Sequence, residues 1–194
     1  MPDAPPPSAD PPRDLPAAAP PADGEALRLT LRHVASPVVL VTTRGADGPR
    51  GATMGSFASV ALSPPLVSFN VQHGSRLYSA LEQNGPFAVQ LLADTQADVA
   101  DHFATPHLTG AEQLAPFAHR EGPHGLSLVD GVLATLVCRP HAWWTAGDHA
   151  VVAGRVEQIL PGEPGDPLLW YARGYRTVGG AALREPAAGI GSPP

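Results

Sequence analysis

The sequence predicts a mainly β fold, an antiparallel barrel with two or three peripheral helices. Two observations carry this prediction: the β-branched and apolar runs are short, and most are joined directly by turns rich in glycine and proline. A doubly wound parallel sheet needs a helix between successive strands, and few such helices are indicated. The pattern favours an antiparallel barrel and by itself names no ligand.

The first half of the folded region begins with a helix and continues with strands. Apolar residues at helical spacing predict a helix over residues 25–35, and a proline ends it. The β-branched run 38–43 predicts a strand, and glycines mark residues 45–48 as a turn. Strands are then predicted over residues 53–61 and 66–71, separated by two prolines.

Two helices alternate with a strand in the middle of the chain. A short helix is predicted over residues 75–84, where Gly-Pro stops it. The apolar run 87–92 follows as a strand. A second helix is predicted over residues 94–104, with Asp94 as its N-cap.

The last part of the folded region contains a long loop and a hairpin. Residues 105–127 are predicted to be a loop, and long loops in compact domains are often lids or interface elements. Strands over residues 133–143 and 148–160 flank the turn at residues 145–147. Residues 168–171 are a candidate for one more short strand.

Composition predicts one folded domain between two loose ends. Residues 1–24 hold nine of the 24 prolines and are predicted to be a disordered leader, with the domain at residues 25–183 and a disordered tail at residues 184–194. The net charge of -6 disfavours nucleic-acid binding. A single cysteine, Cys138, forms no intrachain disulfide, and neither a signal peptide nor a membrane span is visible. We therefore expect a cytoplasmic protein that binds neither nucleic acid nor membrane.

Residues 51–65 combine small side chains with four hydroxyls, Thr53, Ser56, Ser59 and Ser63. Small side chains let a flat ring lie close to a strand, and the hydroxyls can bond its polar edge or a phosphate. The alternative is a weakly packed strand with exposed hydroxyls. Composition leaves both interpretations open.

A candidate anion site begins the helix that is predicted over residues 75–84. Ser75 stands at the start of that helix, where free backbone amides favour negative charge. Arg76 adds a forked cation suited to phosphate, and Gly74 permits close approach. An ordinary capped surface helix is the alternative.

Two further segments near the C-terminus place charged and aromatic side chains together. Asp148 and His149 lie beside a turn, where a histidine can bond a cofactor amide or a phosphate, or simply face solvent. Arg173 and Tyr175 belong to the run Tyr-Ala-Arg-Gly-Tyr-Arg, which can clamp an aromatic anion or form a solvated strand edge.

Several common site motifs are absent from the sequence. It contains neither the GxGxxG dinucleotide fingerprint nor a GxxxxGK[ST] phosphate loop. It also lacks HExxH, histidine and cysteine at zinc spacing, and the GxSxG elbow. We expect no metal site, and any nicotinamide has to bind without a Rossmann unit.

Taken in order, these segments resemble the flavin reductase-like domain family. The resemblance starts in residues 31–43, which end in Val-Thr-Thr, and continues with Gly-x-Thr-x-x-Ser-Phe-x-Ser-Val-x-Leu-x-Pro-Pro at residues 51–65. Gly-Ser-Arg at residues 74–76, Ala-Gly-Asp-His at 146–149 and Leu-Leu-Trp-Tyr-Ala-Arg-Gly-Tyr at 168–175 complete it. The similarity spans about residues 28–178, and the ordered set is more specific than any single motif.

The resemblance implies an FMN-binding split barrel, usually a homodimer, in which NADH or NADPH reduces FMN or FAD. It implies that the reduced flavin serves a separate monooxygenase. His149 is the candidate for orienting the nicotinamide or tuning the flavin. The implied cofactor-binding residues are Thr53, Met54, Gly55, Ser56, Phe57, Ser59, Asn70, Ser75, Arg76, Asp148, His149, Arg173 and Tyr175.

Two departures from the family pattern concern flavin retention. Many relatives have serine, asparagine or alanine at the position of Gly55, and many have threonine at the position of Leu77. Weaker retention of flavin is the expected consequence. An oxidoreductase that keeps its flavin and acts on a small substrate, and a flavin-binding module without catalysis, remain the alternative functions.

Overall fold

The computed structural model describes residues 21–83 and 85–179, and its contacts divide the chain into two units, residues 1–31 and 32–194. In the first unit the helix α1 (Gly24–Thr30) begins after Asp23, whose carboxylate accepts a hydrogen bond from the Ala26 N–H at 2.7 Å. The predicted helix over residues 25–35 is therefore shorter, and a 3₁₀ turn follows it at Leu31–His33. Residues 1–20 of the predicted leader and the predicted tail lie outside the described residues, so the domain bounds stay a prediction.

The second unit is built mainly of antiparallel strands, which confirms the predicted fold class. The strands are β1 (Ser36–Pro37), β2 (Val39–Gly45), β3 (Gly48–Met54), β4 (Ala58–Leu62), β5 (Pro65–Gln72), β6 (Phe87–Leu91), β7 (His119–Glu121), β8 (Ser127–Val129), β9 (Ala134–Ala146), β10 (His149–Pro161), β11 (Leu169–Tyr171) and β12 (Gly174–Arg176). Its α-helices are α2 (Arg76–Glu82), α3 (Ala97–Ala104) and α4 (Gly110–Leu114).

Seven strands form one sheet in the order β3-β2-β6-β9-β10-β5-β4. The two edge strands, β3 and β4, are consecutive in the chain and are joined by residues 55–57 alone. The edges of a flat seven-stranded sheet would stand about 29 Å apart. Four Cα steps reach at most about 14 Å. The sheet is therefore curled into a barrel that stays split between β3 and β4.

The predicted single strand over residues 53–61 is wrong, because this segment crosses the split. The chain leaves β3 at Met54 and enters β4 at Ala58. Between them, the Ser56 hydroxyl oxygen accepts a hydrogen bond from the backbone N–H of Asn70 at 2.9 Å. A side-chain hydrogen bond thus replaces backbone ladder hydrogen bonds where the chain passes from one edge strand to the other.

The barrel interior is filled by apolar side chains of the seven-stranded sheet. Phe69 and Phe87 are fully buried and meet edge to face, with ring centroids 5.5 Å apart. Gly154 of β10 has no room for a Cβ, because the Phe87 ring lies directly against it. This close approach fixes the position of the Phe87 ring in the barrel interior.

Residues 105–127 are more ordered than the predicted loop. They contain α4, β7 and a 3₁₀ turn at Pro123–Gly125. Buried glutamines fasten this region and the next to the barrel: Gln113 bonds both backbone groups of Gly51, and Gln90 accepts a hydrogen bond from Val129 N–H at 2.7 Å. A glutamine side chain can pair with a backbone N–H and C=O where no strand is available.

The predicted N-cap at Asp94 is wrong. Asp94 lies inside a 3₁₀ turn, Asp94–Gln96, and α3 begins only at Ala97. The side-chain oxygen of Gln96 accepts a hydrogen bond from the Ala93 N–H at 3.1 Å. The Gln96 side chain thus bonds back to the residue before the turn, and α3 begins without a side-chain cap.

Two smaller sheets complete the second unit, one of β1, β11 and β12 and one of β7 and β8. The Tyr175 hydroxyl of β12 donates a hydrogen bond to the Asp101 carboxylate of α3 at 2.8 Å. This bond fastens the three-stranded sheet to the helix. Among the described helices, none has the length and apolar character needed to cross a bilayer.

Candidate functional site

A cavity of about 670 Å³ lies along the outer side of β3 and extends across the split to β5. Its size falls within the range of about 300–1,000 Å³ that is usual for small-molecule sites. Its walls come from residues 50–54, 70–72, 74–77 and 103–108, together with Gln113 and His149.

The structure brings six of the predicted site residues to this cavity and leaves the others away from its lining. Thr53, Met54, Asn70, Ser75, Arg76 and His149 line it. Gly55, Ser56, Phe57, Ser59, Asp148, Arg173 and Tyr175 are not among its lining residues.

The β3 wall offers backbone groups rather than the predicted hydroxyl. The Thr53 hydroxyl donates a hydrogen bond to the Ala100 carbonyl of α3 at 2.7 Å, so its proton is not available to a ligand. Gly51 directs its N–H and C=O away from β2, towards Gln113. Because alternate residues of a strand present these groups on the same side, Thr53 directs its N–H and C=O to the cavity side. A ligand's polar edge can bond there.

Residues 55–59 shape the split and do not form the cavity wall. Ser56 is engaged with Asn70, Phe57 packs against the barrel core, and Ser59 is exposed on β4. A Cβ on Gly55 would meet nothing closer than Ser36 Cβ at 3.9 Å. A side chain fits at this position, so packing does not require the glycine.

The start of α2 holds the neighbouring loop. Ser75 caps the helix, since its side chain accepts a hydrogen bond from Tyr78 N–H at 3.1 Å. Arg76 Nη1 donates to the carbonyls of His107 and Leu108, both at 3.0 Å. Arg76 therefore fixes the cavity wall at residues 107–108 and keeps its other N–H groups for a ligand.

Asp148 and His149 form a hydrogen-bonded pair at the start of β10. His149 Nδ1 lies 2.7 Å from Asp148 Oδ1. This hydrogen bond and the charge of His149 hold the pKa of the Asp148 carboxyl below its ordinary value. An ionised Asp148 accepts a hydrogen bond from His149 Nδ1, so Nε2 is the ring nitrogen that is left for a ligand.

Arg173 and Tyr175 belong to the β11–β12 hairpin. Ala172 and Arg173 occupy its turn with φ values of 48° and 65°, and Arg173 is exposed. Burial, together with the hydrogen bond to Asp101, raises the pKa of Tyr175 to about 12. Tyr175 thus acts as a fastening residue in this chain, and its predicted contact with a cofactor stays a prediction.

Arg50 and Gln113 are two of the cavity residues that sequence reasoning missed. The Arg50 side chain is only 15% exposed, and Asp47 lies 4.0 Å away. Arg50 directly precedes the small-residue segment, so its position beside Gly51 was the available signal. Gln113 carried no such signal, because it lies 62 residues from its partner.

The arrangement suits a flat ligand with an anionic tail. Small residues and strand backbone form one wall, and Asn70 and His149 add polar groups. The positively charged Arg50 and Arg76 also line the cavity. Phosphate is well matched by such forked donors. Within the described residues, no cluster of three metal-ligating side chains occurs.

Comparisons with known proteins agree with this chemistry. The sequence model described as the flavin reductase like domain matches residues 31–179. The reductase component of 4-hydroxyphenylacetate 3-monooxygenase from Thermus thermophilus is 40% identical over 79% of this chain and 96% of that protein. The NADH-dependent flavin reductase of a Rhodococcus species is 33% identical over 78% of this chain and 85% of its own. The solved NADH:FAD oxidoreductase SgcE6 of Streptomyces globisporus superposes with a TM-score of 0.77 at 31% identity, covering 85% of this chain and 100% of its own.

Proposed function

Because this chain belongs to the flavin reductase-like domain family, we propose that it is an NAD(P)H-dependent flavin reductase. Its substrates are NADH or NADPH and FMN or FAD. The observation that carries the proposal is the cavity of about 670 Å³, whose walls include residues 51–54, 74–76 and His149 of the family pattern.

The residues present fit a flavin. The backbone of β3 at Thr53 supplies a donor and an acceptor for a polar ring edge, and the small side chain of Ala52 leaves space for a flat ring. Arg50 and Arg76 supply charge for the phosphate end. A flavin held there would supply the hydride-accepting chemistry, with the nicotinamide of NADH or NADPH as the donor.

The protein's own contribution is orientation, exclusion of water and electrostatics. Asp148 holds the His149 ring, and His149 offers Nε2 to the ligands at the start of β10. Arg76 holds the wall at residues 107–108 in place through two carbonyls. No side chain is needed as an obligatory proton donor.

The direct test is reductase activity of the purified protein. Adding NADH or NADPH without oxygen is expected to bleach the visible absorbance of added FMN or FAD. A protein that neither binds flavin nor oxidises NADH or NADPH would refute the proposal.

Arg76→Ala tests the phosphate end of the site. We expect it to weaken FMN binding more than binding of riboflavin, which lacks the phosphate. Arg139→Ala is the matched control, because Arg139 pairs with Glu157 on the β9–β10 hairpin and does not line the cavity. Equal losses of affinity for FMN and riboflavin would contradict a phosphate-binding role and would show that Arg76 acts only by holding residues 107–108.

A homodimer is part of the proposal. The exposed apolar side chains on the edge strand β4 support it, since Val60 is 50% and Leu62 is 73% exposed. Light scattering during size-exclusion chromatography measures the mass directly. A monomer at micromolar concentration, together with full activity, would contradict this part.

The reduced flavin is proposed to serve a separate monooxygenase, in the cytoplasm. The relative from Thermus supports the first point, because it is a reductase component of a monooxygenase. The single cysteine, which is buried and unpaired, supports the second. A two-chamber assay tests transfer: a flavin-dependent monooxygenase behind a dialysis membrane should turn over when only free flavin can cross.

A further inference from the structure

A second cavity, of about 370 Å³, adjoins the flavin cavity. The two share three lining residues, Arg50, Gly74 and Arg76, so they lie side by side along the turn between β2 and β3. The remaining walls of the second cavity include Ser79 and Ala80 of α2. Its volume is again that of a small-molecule site.

Two positive charges stand at the boundary between the cavities. Arg50 donates one hydrogen bond, to the Pro49 carbonyl at 3.1 Å, in the part of the chain that the structure describes. Its nearest carboxylate, Asp47, is 4.0 Å away and 90% exposed. Arg76 uses one nitrogen, Nη1, to donate hydrogen bonds to two loop carbonyls. Each guanidinium has five N–H donors, so both retain donors for phosphate oxygens.

Two carboxylates lie near this boundary, the exposed Asp47 that lines the second cavity and Glu112. The Glu112 carboxylate accepts hydrogen bonds from Thr109 N–H at 2.7 Å and Thr109 hydroxyl at 2.8 Å. It is therefore turned to the start of α4. Among the described residues, neither Glu112 nor Asp47 hydrogen-bonds to the two guanidinium groups.

The floor of the second cavity suits a purine. The Gln83 carboxamide oxygen accepts a hydrogen bond from Ala46 N–H at 3.0 Å, which leaves its amino group as a donor. Ser79 contributes a hydroxyl, and Ala46 with the small exposed part of Ala80 contributes apolar surface. A heteroaromatic ring with acceptor nitrogens matches this combination.

Resting on the proposed function, we propose that the second cavity binds the adenosine monophosphate half of FAD, with the pyrophosphate at Arg50 and Arg76. FMN carries one phosphate and no adenosine, so it leaves this cavity and part of the charge unused. FAD is therefore the preferred flavin of this protein.

Flavin binding by the whole protein tests the proposal, measured as quenching of flavin fluorescence. We expect the Kd for FAD to be at least about tenfold lower than for FMN. Ser79→Trp fills the second cavity from an exposed helix position, and should raise the Kd for FAD about tenfold while changing that for FMN less than about twofold. Glu82→Trp is the matched control, since Glu82 is exposed on the same helix and does not line either cavity.

Ala46→Trp, in the exposed turn that borders the same cavity, provides a second blocking variant if Ser79→Trp does not fold. Equal Kd values for FMN and FAD, or equal changes for both in the blocking variants, would overturn the proposal. So would a raised KM for NADH with unchanged FAD binding, because the cavity would then hold the adenylate of the nicotinamide cofactor. Loss of all flavin binding and NAD(P)H oxidation in the unaltered protein would instead refute the proposed function itself.

Discussion

Replacing Gln113 by methionine removes the clamp that joins α4 to the edge strand β3. Methionine keeps the length and nearly the volume of glutamine, so the change removes hydrogen bonds with little change of packing. Gln113 is 7% exposed, and its side chain accepts from Gly51 N–H at 3.1 Å and donates to Gly51 C=O at 3.0 Å. Both backbone groups lose their partner in the variant.

The expected loss follows from the burial of Gly51. A typical hydrogen bond contributes about 0.5–1.5 kcal/mol net, whereas a buried polar group left without a partner costs about 1–3 kcal/mol. Gly51 is buried beneath the Phe103 ring, where a Cβ would lie only 2.7 Å from the ring carbon Cε1. With two groups affected and partial access of water, we expect the free energy of unfolding to fall by about 2–4 kcal/mol.

Urea denaturation followed by circular dichroism measures this loss. Gln158→Met is the control, because Gln158 is exposed on β10 and its replacement should change stability by less than about 0.5 kcal/mol. Amide exchange of Gly51, followed by NMR, should also become faster in the Gln113 variant only. A Gln113→Met protein as stable as the control, with unchanged exchange at Gly51, would refute the clamp.

Three further predictions concern single side chains. Burial raises the pKa of the Cys138 thiol to about 12, so native protein at pH 8 should resist iodoacetamide, whereas urea-unfolded protein should react; rapid native labelling would contradict this. Tyr175→Phe should cost about 1 kcal/mol at neutral pH. The folded state raises the pKa of Tyr175 to about 12, whereas its ordinary pKa is about 10. The wild type should therefore lose stability relative to Tyr175→Phe as the pH rises from about 10 towards 12. Urea titrations at several pH values measure this difference in the free energy of unfolding. Asp148→Asn removes the carboxylate that holds His149 Nδ1, and steady-state assays should show a several-fold lower kcat/KM for NADH; an unchanged value would remove the pair from the mechanism.

Local sequence signals were sufficient for most of the strands. The β-branched run before Arg44, the turn at Gly45–Gly48 and the long hairpin around Gly147 are all where pattern and turn chemistry predicted them. These features are local, because each depends on residues that are adjacent in the chain. The fold class follows from them.

Features that depend on distant partners were not predictable. The break at Gly55 and Ser56 exists because the chain changes sheet edge and Ser56 finds Asn70 there, 14 residues away. Gln96, Gln90 and Gln113 look in sequence like ordinary polar residues. Their roles appear only when the barrel brings unpaired backbone groups next to them.

The candidate site was predictable in outline but not in its side-chain chemistry. Arg76 and His149 line the cavity, as their motifs suggested. Thr53 was chosen for its hydroxyl, which α3 occupies, so its backbone is what remains for a ligand. Arg50 stood beside the expected segment and was missed, because its burial depends on the packing of α4.

The split between β3 and β4 has a mechanical consequence. Among the described residues no backbone ladder crosses it; the chain link and the hydrogen bond from Asn70 N–H to Ser56 do. One wall of the barrel can therefore bend outward at the cost of side-chain contacts, while every strand pair stays intact. A closed barrel would have to tear a ladder to widen by the same amount. This protein thus has a compliant joint beside its cavity.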